Sequence, residues 1–316
     1  MIVSRFWHHN EDIGRCRSAR HAAWRAACAL GLAWLLAGCA ASAAGPHAPA
    51  GAIPALPPEA VAADVLLIGE LHDNAVQHRL RLGWLESLAD ARPMVLALEQ
   101  FDSERQADLD RALAADLGES TDDAAARARR VAEAAGFDFR SWDWVHYGPV
   151  VELALRRRLP LVAANLSRRE TSAVARGEAG AVAAPEPSGW SAHDRNALEE
   201  AIRSGHCGLL PEARIAPMAA AQRARDARMA DSVAEARRRT GLPVVLLAGN
   251  VHVRNDIGVP RYLADRLPHD RLFSIGLLEE GGASMSSGFH RVEYTAPQSR
   301  VDPCESLKRP RRPAPQ

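Results

Sequence analysis

Two stretches far apart in the chain read almost alike: "LLIGELHDN" at residues 66–74 and "LLAGNVHVR" at residues 246–254. Each begins as a short apolar run, stops at a glycine (Gly69, Gly249) and places a histidine three residues on (His72, His252). Apolar runs of this length without polar alternation suit strands buried on both faces, as in a parallel sheet covered by helices. The glycines are expected to let the chain turn away at the strand end without a Cβ clash.

The same grammar continues on either side. Apolar runs at 64–69, 93–101, 159–165, 242–249 and 270–278 read as strands, and 288–295 as a last strand with alternation. Between them, 74–91 carries Leu80, Trp84, Leu85 and Leu88 at helical spacing. Further helices are expected at 103–117 with Ser103 as cap, and at 122–135, 191–204 and 216–239. Another is expected at 147–158 with Pro149 in its first turn. Residues 176–189, rich in Gly, Ala and Pro, read as a loop. Strands alternating with helices predict an α/β fold with a mainly parallel central sheet flanked by helices.

In such a sheet, ligands bind beyond the carboxyl ends of the strands. Glu70 and His72 follow the first strand, Glu99 ends the second, Asn165 the third, and Asn250 and His252 follow the fourth. These groups are expected to share one rim. A buried Glu99 needs a partner, and His72 and His252 offer a hydrogen bond or a shared metal. A single histidine after a strand also suits a plain capped loop. In "AQRARDARMADSV" (221–233), Gln222, Arg225, Asp226 and Met229 fall on one helix face. That face meets either a polar site or solvent with local ion pairs. "FDFRSWDWVHYG" (137–148) holds five aromatic residues in twelve, in a chain only 5% aromatic. Tyr147 stands just before the expected helix start, where the helix field favours a phenolate, a known ligand for ferric haem. Plain aromatic packing against a helix end is the other reading.

The formal net charge is +0, which gives no basic field for nucleic acid. Near the start, Arg15, Arg17, Arg20 and Arg25 precede the apolar run "AACALGLAWLLAG" (26–38), the length of a signal-peptide core. Glu11 and Asp12, unusual in such a leader, put the expected translation start downstream of Met1. "LAGC" (36–39) resembles a lipobox, so 1–38 is expected to be a lipoprotein signal peptide and Cys39 the lipidated residue, carrying palmitate. An ordinary signal peptide with a chance cysteine is the alternative. Ala40 in the next position lacks the aspartate of inner-membrane retention. By that resemblance the expected place is the bacterial outer membrane, facing the periplasm. Residues 39–62 read as an Ala/Pro-rich tether and 297–316 as an unstructured Pro/Arg-rich tail, leaving 63–296 as the domain. Beyond the leader and Cys39, only Cys207 and Cys304 remain, one disulfide or two free thiols. No CxxC is present, which argues against a thiolate zinc site.

Taken in order, "LLIGELHDN", "LALEQF", "DWVHYGPVVELA", "HCGLLPE", "AQRARDARMA" and "LLAGNVHVRNDIGVP" resemble the ChaN-type haem-binding lipoproteins over residues 64–296. That family is related to the TraB/Tiki and erythromycin-esterase-like group. The resemblance implies non-covalent haem binding in haem or iron acquisition, since no CxxCH is present. The positions that match are Glu70, His72, Glu99, Tyr147, Arg225 and His252. Tyr147 or a rim histidine (His72, His252) would hold iron, and Arg225 would grip a propionate. A haem-uptake receptor and a second copy of the chain are the expected partners besides haem and the lipid anchor. The competing reading is a hydrolase or protease with a divalent metal ion. There His72 is general base, Glu70 and Glu99 hold water or the ion, and His252 stabilises charge.

Overall fold

The six expected strands all form: β1 (Val65–Glu70), β2 (Val95–Asp102), β3 (Leu161–Asn165), β4 (Val244–Gly249), β5 (Leu272–Glu279) and β6 (Arg291–Thr295). They make one sheet in the order β3-β2-β4-β1-β5-β6, parallel at every pairing. The computed structural model describes residues 53–117, 123–281, 288–302 and 304–305. The leader, Cys39 and the first part of the tether lie outside the described residues.

Strand residues alternate between two apolar layers. Leu66, Ile68, Leu96, Leu98, Val245 and Leu247 face one core. Val65, Leu67, Val95, Ala97, Val244 and Leu246 face the other. The first is covered by α2 (Ala75–Ala91), α4 (Ala124–Ala134) and α5 (Trp144–Arg157), the second by α8 (Ile215–Thr240) and α9 (Val259–Arg266). A helix before β1, α1 (Pro58–Ala62), and α3 (Gln106–Asp116), α6 (Arg168–Arg176) and α7 (Ala192–Gly205) complete the helices of the described residues. A smaller core joins α7 to α8 through Leu198, Ile202, Ile215 and Ala219.

The sheet grows from β1 outward to β2 and β3. The chain then returns, inserts β4 between β2 and β1, and extends the opposite edge with β5 and β6. That reversal is the kind of place where the carboxyl ends of strands leave a crevice. Both glycine–histidine stretches end there, because β1 and β4 are neighbours in register, with Glu70 opposite Gly249.

Several boundaries differ from expectation. The last ten residues of the expected tether pack on the domain: Pro58 starts α1, Ala60 is buried, and Trp84 Nε1 donates to the Pro54 carbonyl at 2.6 Å. The first part of the tail is also held. Arg300 pairs with Glu279 and Asp73, and Cys304 is joined to Cys207 by a disulfide. Ser103 caps nothing; a short 3-10 turn (Ser103–Arg105) precedes α3. Helix α5 begins three residues early because Asp143 accepts from Val145 N, placing Tyr147 inside the first turn and Pro149 in the helix body.

Candidate functional site

Beyond the β1 and β4 ends lies a cavity of about 850 Å³, within the roughly 300–1,000 Å³ range of small-molecule sites. Glu70, His72, Glu99 and His252 all line it, as do Gln222 and Arg225. The two carboxylates reach it from opposite faces of the sheet. Glu70 shares the side of Leu66 and Ile68; Glu99 shares the side of Val95 and Ala97.

Each buried acid is met by an arginine from the helix on its own face. Arg81 of α2, fully buried, donates to Glu70 Oε2. Glu70 Oε1 accepts from Tyr147 OH at 2.7 Å and from His72 Nδ1 at 3.0 Å. Burial alone would raise the Glu70 pKa; Arg81, with His72 and His78, outweighs it and holds the carboxyl down to about 2. On the other face, Glu99 accepts from Arg225 of α8, and from Gly249 N at 2.7 Å. Burial again opposes ionisation there, and His252 and Arg225 keep the acid well below its ordinary value. Arg225 Nε also donates to Asn165 Oδ1 at 3.1 Å, so the third strand end braces the second.

The two motif histidines differ. His252 is 4% exposed. Its Nδ1 donates to Asp226 Oδ1 at 2.5 Å, and its Nε2 lies 3.4 Å from Glu99 Oε1. Desolvation works against its charge, but Glu99 and Asp226 raise its pKa overall. The side chain of His72 is 44% exposed. Its Nδ1–H is held by Glu70, its ring meets Trp142 edge-on at 4.8 Å, and its Nε2 has no protein partner among the described residues.

Neither glycine makes a turn. Both lie in strands, and each clears space for the other motif. A Cβ on Gly69 would lie 2.3 Å from Asn250 Oδ1. The Asn250 amide crosses there to β5, donating to the Leu277 carbonyl at 2.7 Å and accepting from Leu277 N at 3.1 Å. Asn250 is therefore a sheet-end staple. A Cβ on Gly249 would lie 2.9 Å from His72 Nε2.

Comparison with known proteins decides the family. A family described as haem-binding uptake, Tiki superfamily, ChaN matches residues 56–263. The chain belongs to that family. Among solved structures, ChaN of Campylobacter jejuni, described by its cofacial haem binding, is 24% identical with a TM-score of 0.58. The match covers 69% of this chain and 82% of that one, and shows a shared fold. An erythromycin esterase mutant in its open conformation is 14% identical over 70% of this chain and 71% of its own, with a TM-score of 0.40. No curated protein matches.

In this ChaN-family chain Tyr147 is not where a solvent-reachable ligand belongs. It is 1% exposed, and its hydroxyl donates to Glu70. Burial, and then the Glu70 carboxylate, push its pKa well above that of an ordinary phenol. A helix-end field is worth only about 0.3–1 kcal/mol, and burial and the neighbouring carboxylate both oppose the expected phenolate. Arg225 and His252 are paired with Glu99 and Asp226. Among the described residues there is no group of three or more His, Cys, Asp or Glu placed to hold a metal ion. Of the expected metal set Glu70, His72, Glu99 and His252, both glutamates are paired with guanidinium groups.

Sequence reading missed three residues. Arg81 sits on the buried face of α2, four residues before Leu85, where an arginine requires an acid. His206 and Arg300 line the cavity from outside the repeated motifs. The cysteine next to His206 was the available signal for that segment.

Proposed function

We propose that this chain binds haem non-covalently in the cavity at the β1 and β4 ends, as a lipid-anchored protein of haem or iron acquisition. The observation that carries this reading is the cradle beside His72. The bare Gly249 leaves open the space that a Cβ would fill beside Nε2, on a ring whose other nitrogen is fixed by Glu70. A ligating histidine commonly donates its second N–H to a carboxylate, which fixes the tautomer and ring orientation. The cavity wall adds apolar surface from Leu71, Ala197, Ala201, Ile202 and Val251. Arg225, Arg254 and Arg300 also line the cavity, each already paired with an acid. His72 is thus the iron donor, with Tyr147 holding Glu70.

Haemin titrated into the purified protein and followed by absorption spectroscopy tests this. His72→Ala is expected to lose or strongly alter the bound spectrum, and Tyr147→Phe to change it little. The reverse order would return iron to Tyr147. The lipid anchor at Cys39 and the outer-membrane location facing the periplasm rest on the "LAGC" segment and Ala40. Cys39→Ser is expected to release the protein from membranes, and an unmodified native Cys39 in mass spectrometry overturns the anchor. A haem-uptake receptor and a second copy of the chain are the partners the family suggests.

A further inference from the structure

Beyond β6 the chain runs on along the cavity, and Gln298 and Arg300 fix residues 296–302 to the ends of β1 and β5. Gln298 Oε1 accepts from Ala75 N at 2.8 Å, and its Nε2 donates to the Asp73 carbonyl at 2.7 Å. Its backbone N–H donates to Glu279 Oε1 at 3.0 Å. Arg300 donates to both oxygens of Glu279 and pairs with Asp73 Oδ2 at 2.8 Å. Burial opposes ionisation of Glu279, but Arg300, the Gln298 N–H and Asn74 hold its pKa below the ordinary value, so the anchor keeps its charge. Asp73 and Arg300 both line the cavity. The next anchor is covalent. Cys304 is bridged to Cys207, with the Cα atoms 5.6 Å apart. Cys207 lies just past the end of α7, whose residues Ala197, Ala201, Ile202 and Gly205 line the same cavity. The segment therefore joins the β1 and β5 ends to the α7 wall.

The α7 end of this segment is built to let go. Gly205, Gly208 and Leu209 are exposed, and both cysteines are half-buried, within reach of another thiol. Cys207 has φ of 58° and Gly208 φ of 65°. Glycine takes that left-handed region freely, whereas a cysteine does so at a cost. Breaking the bridge lets Cys207 relax, and strained or exposed bridges are the labile ones. Helix α7 itself is anchored further back, by Leu198 and Ile202 against Ile215 and Ala219. Its last turn can loosen while the helix stays docked. The remaining cysteines, Cys16, Cys28 and Cys39, all precede the domain.

We propose that residues 296–302 form a redox-released strap: the Cys207–Cys304 bridge holds the α7 wall against the cavity, and a dithiol partner releases it. A thiolate of the dithiol attacks one bridge sulfur, forming a mixed disulfide and displacing the other cysteine as a thiolate. The second thiolate of the dithiol then attacks the mixed disulfide and frees the remaining cysteine. Two electrons and two protons pass to the cysteine pair, and the dithiol ends as a disulfide. The proposal holds whichever ligand the cavity takes. The test uses the folded, oxidised protein with dithiothreitol as the dithiol and no denaturant, and thiol labelling with mass spectrometry follows the bridge. The reduced protein is expected to keep its circular dichroism spectrum. Amide exchange over 202–209 and 296–302 should rise several-fold, with the β1 and β4 amides unchanged. His206, whose Nδ1 donates to the Ile202 carbonyl at 2.8 Å, lines the cavity in the released turn and serves as reporter. Diethyl pyrocarbonate should modify it several-fold faster after reduction, and reoxidation should restore the slow rate. Cys304→Ser is expected to match the reduced parent without any reductant; if that variant does not fold, the reduced parent decides. A bridge that resists dithiothreitol until denaturant is added overturns the inference. So does a reduced protein whose exchange and His206 reactivity equal those of the oxidised form. Loss of the circular dichroism signal on reduction also overturns it, since the bridge would then hold the fold and not the strap.

Discussion

The two copies of the glycine–histidine motif occupy neighbouring strand ends and have different environments. The first copy presents its histidine to the cavity, one nitrogen fixed and the other unpartnered. The second turns its histidine inward between Asp226 and Glu99, where both nitrogens are engaged. One motif therefore opens to the cavity and the other is built into its wall. The lesson is that a repeated sequence pattern fixes where side chains start, while the facing helix decides what they do. Across from His72 is open cavity; across from His252 is the Asp226 face of α8.

The largest effect that would test this comparison comes from the acids. Glu70→Ala leaves Arg81 buried without its partner, and loss of one member of a buried pair costs about 3–5 kcal/mol. Urea unfolding should show it. A loss under about 1 kcal/mol would mean that Arg81 finds water, and that the first copy is less built than described.

A second effect is pH-dependent. His78 packs behind Glu70 and donates from Nε2 to the His72 carbonyl at 2.9 Å. Burial and then Arg81 lower its pKa to about 4. The native state thus resists a proton that the unfolded chain accepts near pH 6.5. The full contribution is present above pH 6.5 and is lost as pH falls towards 4. From that shift, the parent should lose roughly 3 kcal/mol relative to His78→Gln between pH 7 and pH 4. Parallel unfolding curves for the two proteins over that range would remove His78 from the account.

The histidines themselves should separate next. His252→Ala strands Asp226, which is fully buried, and should cost about 1–3 kcal/mol. His72→Ala, at a half-exposed position, should cost less than about 1 kcal/mol while removing most haemin binding. Equal stability losses in denaturant would erase the distinction between the copies.

The glycines give the sharpest contrast. Gly69→Ala drives a methyl into the Asn250 amide, which two backbone bonds hold in place, and overpacking of this kind costs about 1–3 kcal/mol. Gly249→Ala meets only the far end of the His72 side chain, which can move. Stability should change by under about 1 kcal/mol, with haemin affinity falling more than stability. Reversed stability costs would show that the His72 ring is the more rigid of the two.

The sheet was legible because all six strands are apolar runs or alternating ones, and buried parallel strands leave that mark. The gathering of Glu70, Glu99, His72 and His252 was legible from the rule about strand ends. The helix face with Arg225 and Asp226 was legible from its spacing. The direction of Tyr147 was not, because a local helix-start argument ignored the acid 77 residues away in sequence. Helices α6 and α9 were missed: the first is short and polar, with no buried residue, and the second has only eight residues. His206 gave no periodic signal; its position depends on a bridge to a residue 97 positions away.

The crossed glycines change how related sequences should be compared. Read along the chain, Gly69 belongs with His72 and Gly249 with His252. Read through space, Gly69 answers to Asn250 and Gly249 to His72. Inheritance should follow the spatial pairs. A relative that carries smaller residues at both 250 and 253 has more room for a side chain at position 69, even with His72 intact. A relative that has lost His72 has no steric reason to keep glycine at 249, however well the rest of its second motif survives. Each half of the repeat is thus a record of the other, and a glycine surviving alone marks a partner recently lost.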